Sequence, residues 1–243
     1  MLHVTRRAQT AISAGGALAQ QARAIRTRQV ILESAATVFA ERGYERTTIG
    51  EILVRAGVTK GALYFHFASK EDLALGVLDA QMLDVPLAPQ TVKLQELADQ
   101  AFLLTHRLQR DALVRASVAL ALDSGATGVD RAAPFRAWID QVSEILMVAK
   151  ARGELLLHVD VTDTAELFSG AFSGIQAMSQ ILCDRNDLPH RVSVLLQHFL
   201  PSICTPALLS RLDMTEGRAR ELGEAYDASR LRREEGNLAD TRG

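Results

Sequence analysis

Lys60, Tyr64 and His66 fall within eleven residues, GVTKGALYFHF (57–67), together with Phe65 and Phe67. The chain has only eight Phe, three Tyr and one Trp, so this crowding is local. An ammonium, a phenol and an imidazole on one short helix are groups that bond phosphate oxygens and base edges. As a helix, the stretch turns Leu63 and Phe67 toward a core and projects Lys60, Gly61 and Tyr64 from the opposite side. Glycine is costly inside a helix. At position 61 it makes sense where a side chain would hold the backbone away from a surface. Phe65 reaches either a thymine methyl or the seam with a preceding helix, and His66 either a phosphate or a structural partner. The competing reading is an ordinary amphipathic helix whose greasy side is core.

No other stretch offers chemistry of comparable specificity. There is no Gly-x-Ser-x-Gly, HExxH, phosphate-binding loop or Rossmann glycine cluster, so no catalytic residue is expected. Cys183 and Cys204 form no CxxC or Cys/His cluster, and His158–Asp163 reads as a polar loop, so neither metal nor cofactor is expected. Residues 1–75 carry ten Lys and Arg against six Asp and Glu, whereas the remainder carries 17 against 23. The basic front suits a polyanion. The acidic back argues against a nucleic-acid packaging protein, which would be basic throughout. The opening MLHVTRRAQTAISAGGALAQ lacks a convincing apolar signal region, and no run is apolar enough to span a membrane. A cytoplasmic protein with no membrane partner is expected.

These groups must be positioned by helices. Ile31, Ala35, Val38 and Phe39 make an apolar stripe on a helix from about Ala24 to Arg42, followed by Gly43 as its stop. Thr48-Ile49-Gly50-Glu51 is a capping box that opens a second, short helix ending near Gly57. Thr59 caps a third, Lys60 to Phe67, and Ser69 a fourth. Two short helices joined by a tight glycine-containing turn make a helix-turn-helix. Thr47 and Thr48 then stand at the second helix's N-terminus, where amides and hydroxyls favour a phosphate. Lys70 is similarly placed on the fourth helix, and Arg23, Arg26 and Arg28 form a basic approach.

The segment TRQVILESAATVFAERGYERTTIGEILVRAGVTKGALYFHFASKEDL resembles the DNA-binding domain of TetR-type transcriptional repressors nearly end to end. The resemblance implies an all-α homodimer with an N-terminal three-helix DNA-binding domain and a larger C-terminal domain for ligand binding and dimerisation. It implies operator DNA as partner, contacted through Thr47, Thr48, Thr59, Lys60, Gly61, Tyr64, Phe65, His66 and Lys70.

Downstream, Pro134-Phe135-Arg136-Ala137-Trp138 precedes a helix ending in KARGEL, and a small-residue helix, LFSGAFSGIQAMSQIL, spans about 164–182. Trp138 is either a core anchor or a flat wall with one N–H donor. Gly170 and Gly174, with Ser169 and Ser173, make a thin face for another helix or a ligand. Phe168, Phe172, Ile175 and Met178 would give apolar lining and Gln176 a polar group.

The order P-x-x-x-W, G-E-L, F-S-G-x-Q and DRNDLPHRVSVLLQHFLPSI resembles the γ-butyrolactone autoregulator receptors of that family, over roughly residues 23–212. The resemblance also covers pseudo-receptors answering to antibiotics or intermediates; a multidrug-sensing repressor of the same family is the alternative, distinguished by ligand rather than by fold. The resemblance implies a small apolar signalling ligand with Trp138 lining its pocket and Gln176 carried over beside it; Val142, Phe168, Phe172 and Ser179 are expected to complete the ligand site. It also implies a near-palindromic operator. Two features depart from the pattern: the long extension before Arg23 and the connector LDVPLAPQTVK (83–93). The expected layout is a flexible arm (1–22), the helix-turn-helix domain (23–70), the ligand-binding and dimerisation domain (71–212) and a charged, frayed tail (213–243). Pro86, Pro89, Pro134, Pro201 and Pro206 are expected to break helices, and Pro189 to start one.

Overall fold

The computed structural model describes residues 4–79 and 88–240 of the 243, with side chains described from residue 20 apart from 233–235 and 237–240. Pro86 and the first half of the 83–93 connector lie outside the described residues. Among the described residues every regular element is a helix, and the lone extended pairing is an antiparallel bridge between Leu155 and Cys204.

The first four helices are α1 (Val4–Arg42), α2 (Ile49–Ala56), α3 (Lys60–His66) and α4 (Lys70–Leu78). Ile31, Ala35, Val38 and Phe39 are buried, as their spacing requires. The helix α1 ends where Gly43, at φ 77°, donates its N–H to the Phe39 carbonyl at 2.8 Å. It starts at Val4 rather than near Ala24, so residues 4–22 are helical where an arm was expected. That stretch is rich in Ala and Gln, which are strong helix formers. The capping box at Thr48 and Glu51 forms as spaced, Gly57 takes the left-handed conformation at φ 63°, and Thr59 and Ser69 cap the next two helices. Ile52, Leu63, Phe67, Leu73 and Val77 join α1 in one core, so this core continues past residue 70 through α4.

Seven more helices follow: α5 (Lys93–Arg110), α6 (Ala112–Leu122), α7 (Ala133–Ala151), α8 (Val161–Cys183), α9 (Leu188–Ile203), α10 (Pro206–Leu209) and α11 (Glu216–Asp240). They build a second core around Leu97, Phe102, Leu146, Phe168, Val192 and Leu196. Gly153, at φ 70°, ends α7, and buried Glu154 accepts the first N–H groups of α5, from Lys93 at 2.9 Å and Leu94 at 3.0 Å. The Gly-Glu-Leu motif is therefore a structural clasp between two helices.

One element belongs to both cores. Helix α6 gives Val114 to the second and Ala116, Leu120 and Ala121 to the first. Ser117 Oγ donates to the Leu78 carbonyl at 2.9 Å, and Asp123, just past α6, accepts the Tyr44 N–H at 3.1 Å. Thr127 donates to Glu45 at 2.7 Å. The α6 end thus grips the α1–α2 turn.

Three expectations need correction. The tail, expected to fray, forms the helix α11 from Glu216 to Asp240, docked on α5. Its Arg218 pairs with Asp99 at 2.6 Å, Asp227 with His106 at 2.9 Å, and Ala219 is buried. High charge suggested fraying, but Ala219, Leu222 and Tyr226 recur at helical spacing and supply one usable face. Pro134 lies in the first turn of α7, placing Trp138 inside that helix rather than ahead of it. Pro201 sits within the last turn of α9, where its missing N–H removes only a terminal hydrogen bond.

Candidate nucleic-acid interface and interior binding site

Helix α3 presents the surface its sequence suggested. Leu63 is fully buried, whereas Tyr64 and Phe65 are 44% and 78% exposed. Phe65 therefore does not fill the seam with α1; it stands in solvent with the half-buried His66 ring edge-on to it at 5.0 Å. Lys60 is exposed, its ammonium 5.8 Å from the Tyr64 ring centre. A Cβ built on Gly61 meets nothing within 4 Å. No packing inside the chain asks for glycine there.

The flanking threonines divide. Thr59 is exposed and accepts the Ala62 N–H at 3.2 Å. Thr48 is exposed too, with its hydroxyl and N–H both held by Glu51 at 3.0 and 2.9 Å. Thr47 is 2% exposed and donates to the Gly43 carbonyl at 2.8 Å, so it braces the turn and has no route to a phosphate. Sequence could not separate two adjacent threonines, because which one points inward depends on the turn after Gly43. Lys70 is likewise half-engaged: its ammonium lies 4.3 Å from the Tyr44 ring centre and donates to the Glu45 carbonyl at 3.3 Å. Arg28 stacks on Phe67 at 5.1 Å.

Two acidic groups nearby are paired with arginines. Glu51 pairs with Arg42 at 2.7 Å and Glu41 with Arg55 at 3.0 Å. Hydrogen bonds from Thr48, backbone first and hydroxyl second, hold the Glu51 carboxyl below its ordinary range. Val54, 84% exposed on α2, is an outward apolar group that the sequence reading missed. Ile49, Ile52, Leu53 and Ala56 form the inward stripe of IGEILVRA, which leaves Val54 outside.

Inside the second core, Trp138 is half-buried with its ring centre 6.0 Å from that of Phe172. Its Nε1 is buried and has no hydrogen-bond partner. Gln141 Oε1, one turn along α7, and Ser169 Oγ, one turn before Phe172 on α8, are buried and unpartnered as well, as is Gln100 Oε1 on α5. Buried polar atoms without partners are uncommon and call for an explanation. The i, i+3 spacing of Trp138 and Gln141 is the signal in the sequence that puts both on one face of α7.

The remaining pocket candidates fare differently. Val142 is fully buried, and Phe168 stacks at 5.1 Å on Phe199 within the core. Gln176 Oε1 accepts from Arg185 Nη2 at 3.1 Å. Ser179 donates to Asp187 Oδ1 at 2.6 Å, latching the α8–α9 corner instead of facing a ligand. Cys183, Ser179 and Arg191 together lower the Asp187 carboxyl to about 2. Met178 is exposed and lines no interior space.

The outer face of α8 is open: Leu167, Met178, Ile181 and Leu182 are exposed, and Gly170 and Gly174 have clear space where a Cβ would be. The thin glycine face therefore points outward.

A helix-turn-helix on a helical body with buried polar atoms in its core defines a DNA-binding regulator, and residues 31–77 match the family described as bacterial regulatory proteins, tetR family. The chain belongs to the TetR family. It is 36% identical to the A-factor receptor protein of Streptomyces griseus over 222 residues, covering 91% of this chain and 79% of that relative. It is similar in structure to TylP, a TetR regulator from Streptomyces fradiae, at 45% identity and TM-score 0.78, covering 84% of this chain and 98% of that one. A γ-butyrolactone receptor described as ArpA-like follows the same course at 28% identity and TM-score 0.62, covering 84% and 99%.

Proposed function

We propose that the protein is a ligand-released repressor of the γ-butyrolactone receptor type. The observation that carries this reading is the buried, unpartnered Trp138 Nε1 beside Phe172, with Gln141 and Ser169 also unpartnered. An apolar ligand bearing a lactone carbonyl would meet aromatic walls and accept hydrogen bonds from Trp138 Nε1 and Ser169 Oγ, while a hydroxyl on the same ligand would donate to Gln141 Oε1. The kinship with the A-factor receptor and the ArpA-like receptor supports the same ligand class.

Two copies associate through the open apolar face of α8 and the adjoining α9, placing two α3 helices in successive major grooves of a near-palindromic operator. Lys60, Gly61, Tyr64 and Phe65 make the base-edge and backbone approach, with Thr48 and Thr59 at the phosphates. Ligand beside Trp138 displaces α7 and α8, and α6 transmits this to α4 through Ser117 and to the α1–α2 turn through Asp123. Release is a population shift: moving a 1:99 equilibrium to 99:1 takes an affinity difference of about 10⁴ between the two states. No described helix is long and apolar enough to cross a membrane; the cytoplasm, where its DNA lies, is the proposed location.

The test is a titration of Trp138 fluorescence with a long-chain γ-butyrolactone, paired with a gel shift on the operator. Saturable quenching coupled to release is expected, and Trp138→Ala should keep operator binding while losing release. Release by an antibiotic-like compound with no lactone response would overturn the ligand class and leave the DNA site standing.

A further inference from the structure

A second site lies away from Trp138, at the seam between the two cores. A cavity of about 520 Å³ opens between the end of α1, one face of α6 and the last turns of α8. Thr37 and Ala40 form its α1 wall, Ala116, Val118 and Ala119 much of its α6 wall, and Ala177 the α8 wall, with the exposed Ile181 at its rim. Trp138 is not among its lining residues. The volume suits a small molecule.

Its polar lining joins Thr37, Gln176, Gln180 and Asp184 to two cations. Arg115 and Arg185 both line it. Arg185 is only 6% exposed, and its Nε is buried without a hydrogen-bond partner. Its two terminal nitrogens donate to the neutral amides of Gln180 and Gln176, not to a carboxylate. The one acid on the lining, Asp184, is exposed and accepts from Gln180 Nε2 at 3.1 Å. Burial first, and the Arg115 charge second, pull the Arg185 guanidinium below its ordinary value. Arg115, whose Nη1 donates to the Gln109 carbonyl at 3.0 Å, and Arg185 share a chamber whose one carboxylate, the exposed Asp184, only partly offsets them, and a buried cation without a directly paired charge is costly.

Arg185 is also held there by the backbone. Asp184 and Arg185 adopt φ 52° and 62°, the left-handed region that non-glycine residues disfavour. The Arg185 N–H donates to the Ser179 carbonyl at 3.1 Å, and its carbonyl accepts from Gln109 at 2.7 Å. The corner is built so that the guanidinium turns inward.

We propose that this seam cavity binds a small amphipathic anion, its carboxylate or phosphate between Arg115 and Arg185 and its apolar body against the alanines of α1 and α6. Arg185 Nε supplies the donor and the two positive charges supply the field. Because the walls come from both cores, the occupant sets the spacing of α1 against α8 and hence the pose of the DNA-binding half. The site is independent of the Trp138 reading: either can stand without the other.

The test is calorimetric titration of the full chain with octanoate, octyl phosphate and the neutral 1-octanol. One saturable site per chain is expected for an anion, at least tenfold tighter than for octanol; the stronger of the two anions assigns the head group. Arg115→Gln should weaken that binding about tenfold, and Ala119→Phe, which plugs the chamber without touching either guanidinium, should abolish it. Arg185→Gln is the direct variant, and the other two keep the test decisive if it fails to fold. Equal affinity for octanol and the anions, unaltered binding by Arg115→Gln and Ala119→Phe, or no saturable binding at all would overturn the proposal.

Discussion

Gly61→Ala should move stability and operator affinity in opposite directions. A Cβ at position 61 meets nothing within 4 Å, and the residue is the second of the helix α3. Within the chain, alanine there only removes backbone freedom from the unfolded state and improves helix propensity. A full helix-interior exchange gains about 1 kcal/mol; in a first turn about half of that is expected. For a domain of this size, that raises Tm by about 1–2 °C. Against DNA the same methyl projects about 1.5 Å from the backbone, between Lys60 and Tyr64. If α3 approaches base edges as closely as a bare glycine permits, operator affinity should fall at least tenfold, about 1.4 kcal/mol. Thermal unfolding followed by circular dichroism reads the first effect. Fluorescence anisotropy on a labelled operator at one fixed salt concentration reads the second. A variant that melts lower than the parent, or that binds operator within twofold of it, would refute the reasoning. The first result would reveal a neighbour that the fold does not show. The second would mean that glycine was not chosen for the DNA.

Thr47→Val should destabilise the fold by about 1–2 kcal/mol, since it removes the buried bond to Gly43, yet leave operator affinity of the folded protein near the parent's; Thr48→Ala should weaken operator binding, and urea unfolding with anisotropy separates the two. Asp99→Ala removes the buried partner of Arg218 and leaves it only the exposed Glu221 at 3.7 Å, which should cost about 1–3 kcal/mol, with α11 becoming the first segment to lose hydrogen-exchange protection; uniform protection loss would count against a separately docked tail. Asp187 has a depressed pKa, so its stabilising contribution is present above the ordinary carboxylate range and is lost as pH falls toward about 2. The stability gap between the parent and Asp187→Asn should therefore be constant from pH 7 to about 5 and close between about pH 4 and 2; a gap unchanged at pH 2.5 would contradict the Ser179 and Cys183 latch.

Amino-acid order alone determined the DNA-binding half. Its signals are short-range: the stripe of Ile31, Ala35, Val38 and Phe39, the Thr48–Glu51 box, and the caps at Thr59 and Ser69 each act within one or two helical turns. The glycines at 43 and 57 mark left-handed positions for the same local reason. Tertiary structure decided what depends on residues distant in sequence. Whether Thr47 or Thr48 faces out, and whether Phe65 is seam or surface, follows from how α2 and α3 lie on α1. That α11 docks rather than frays depends on Asp99 and His106, over a hundred positions upstream. Gly170 and Gly174 on α8 point outward while Ser169 turns into the core, although the small residues suited a pocket equally, because helical spacing fixes which residues share a face but not what that face meets. The cluster of Arg115 and Arg185 was invisible for the same reason: charges 70 positions apart become one site only when α6 and α8 are packed together.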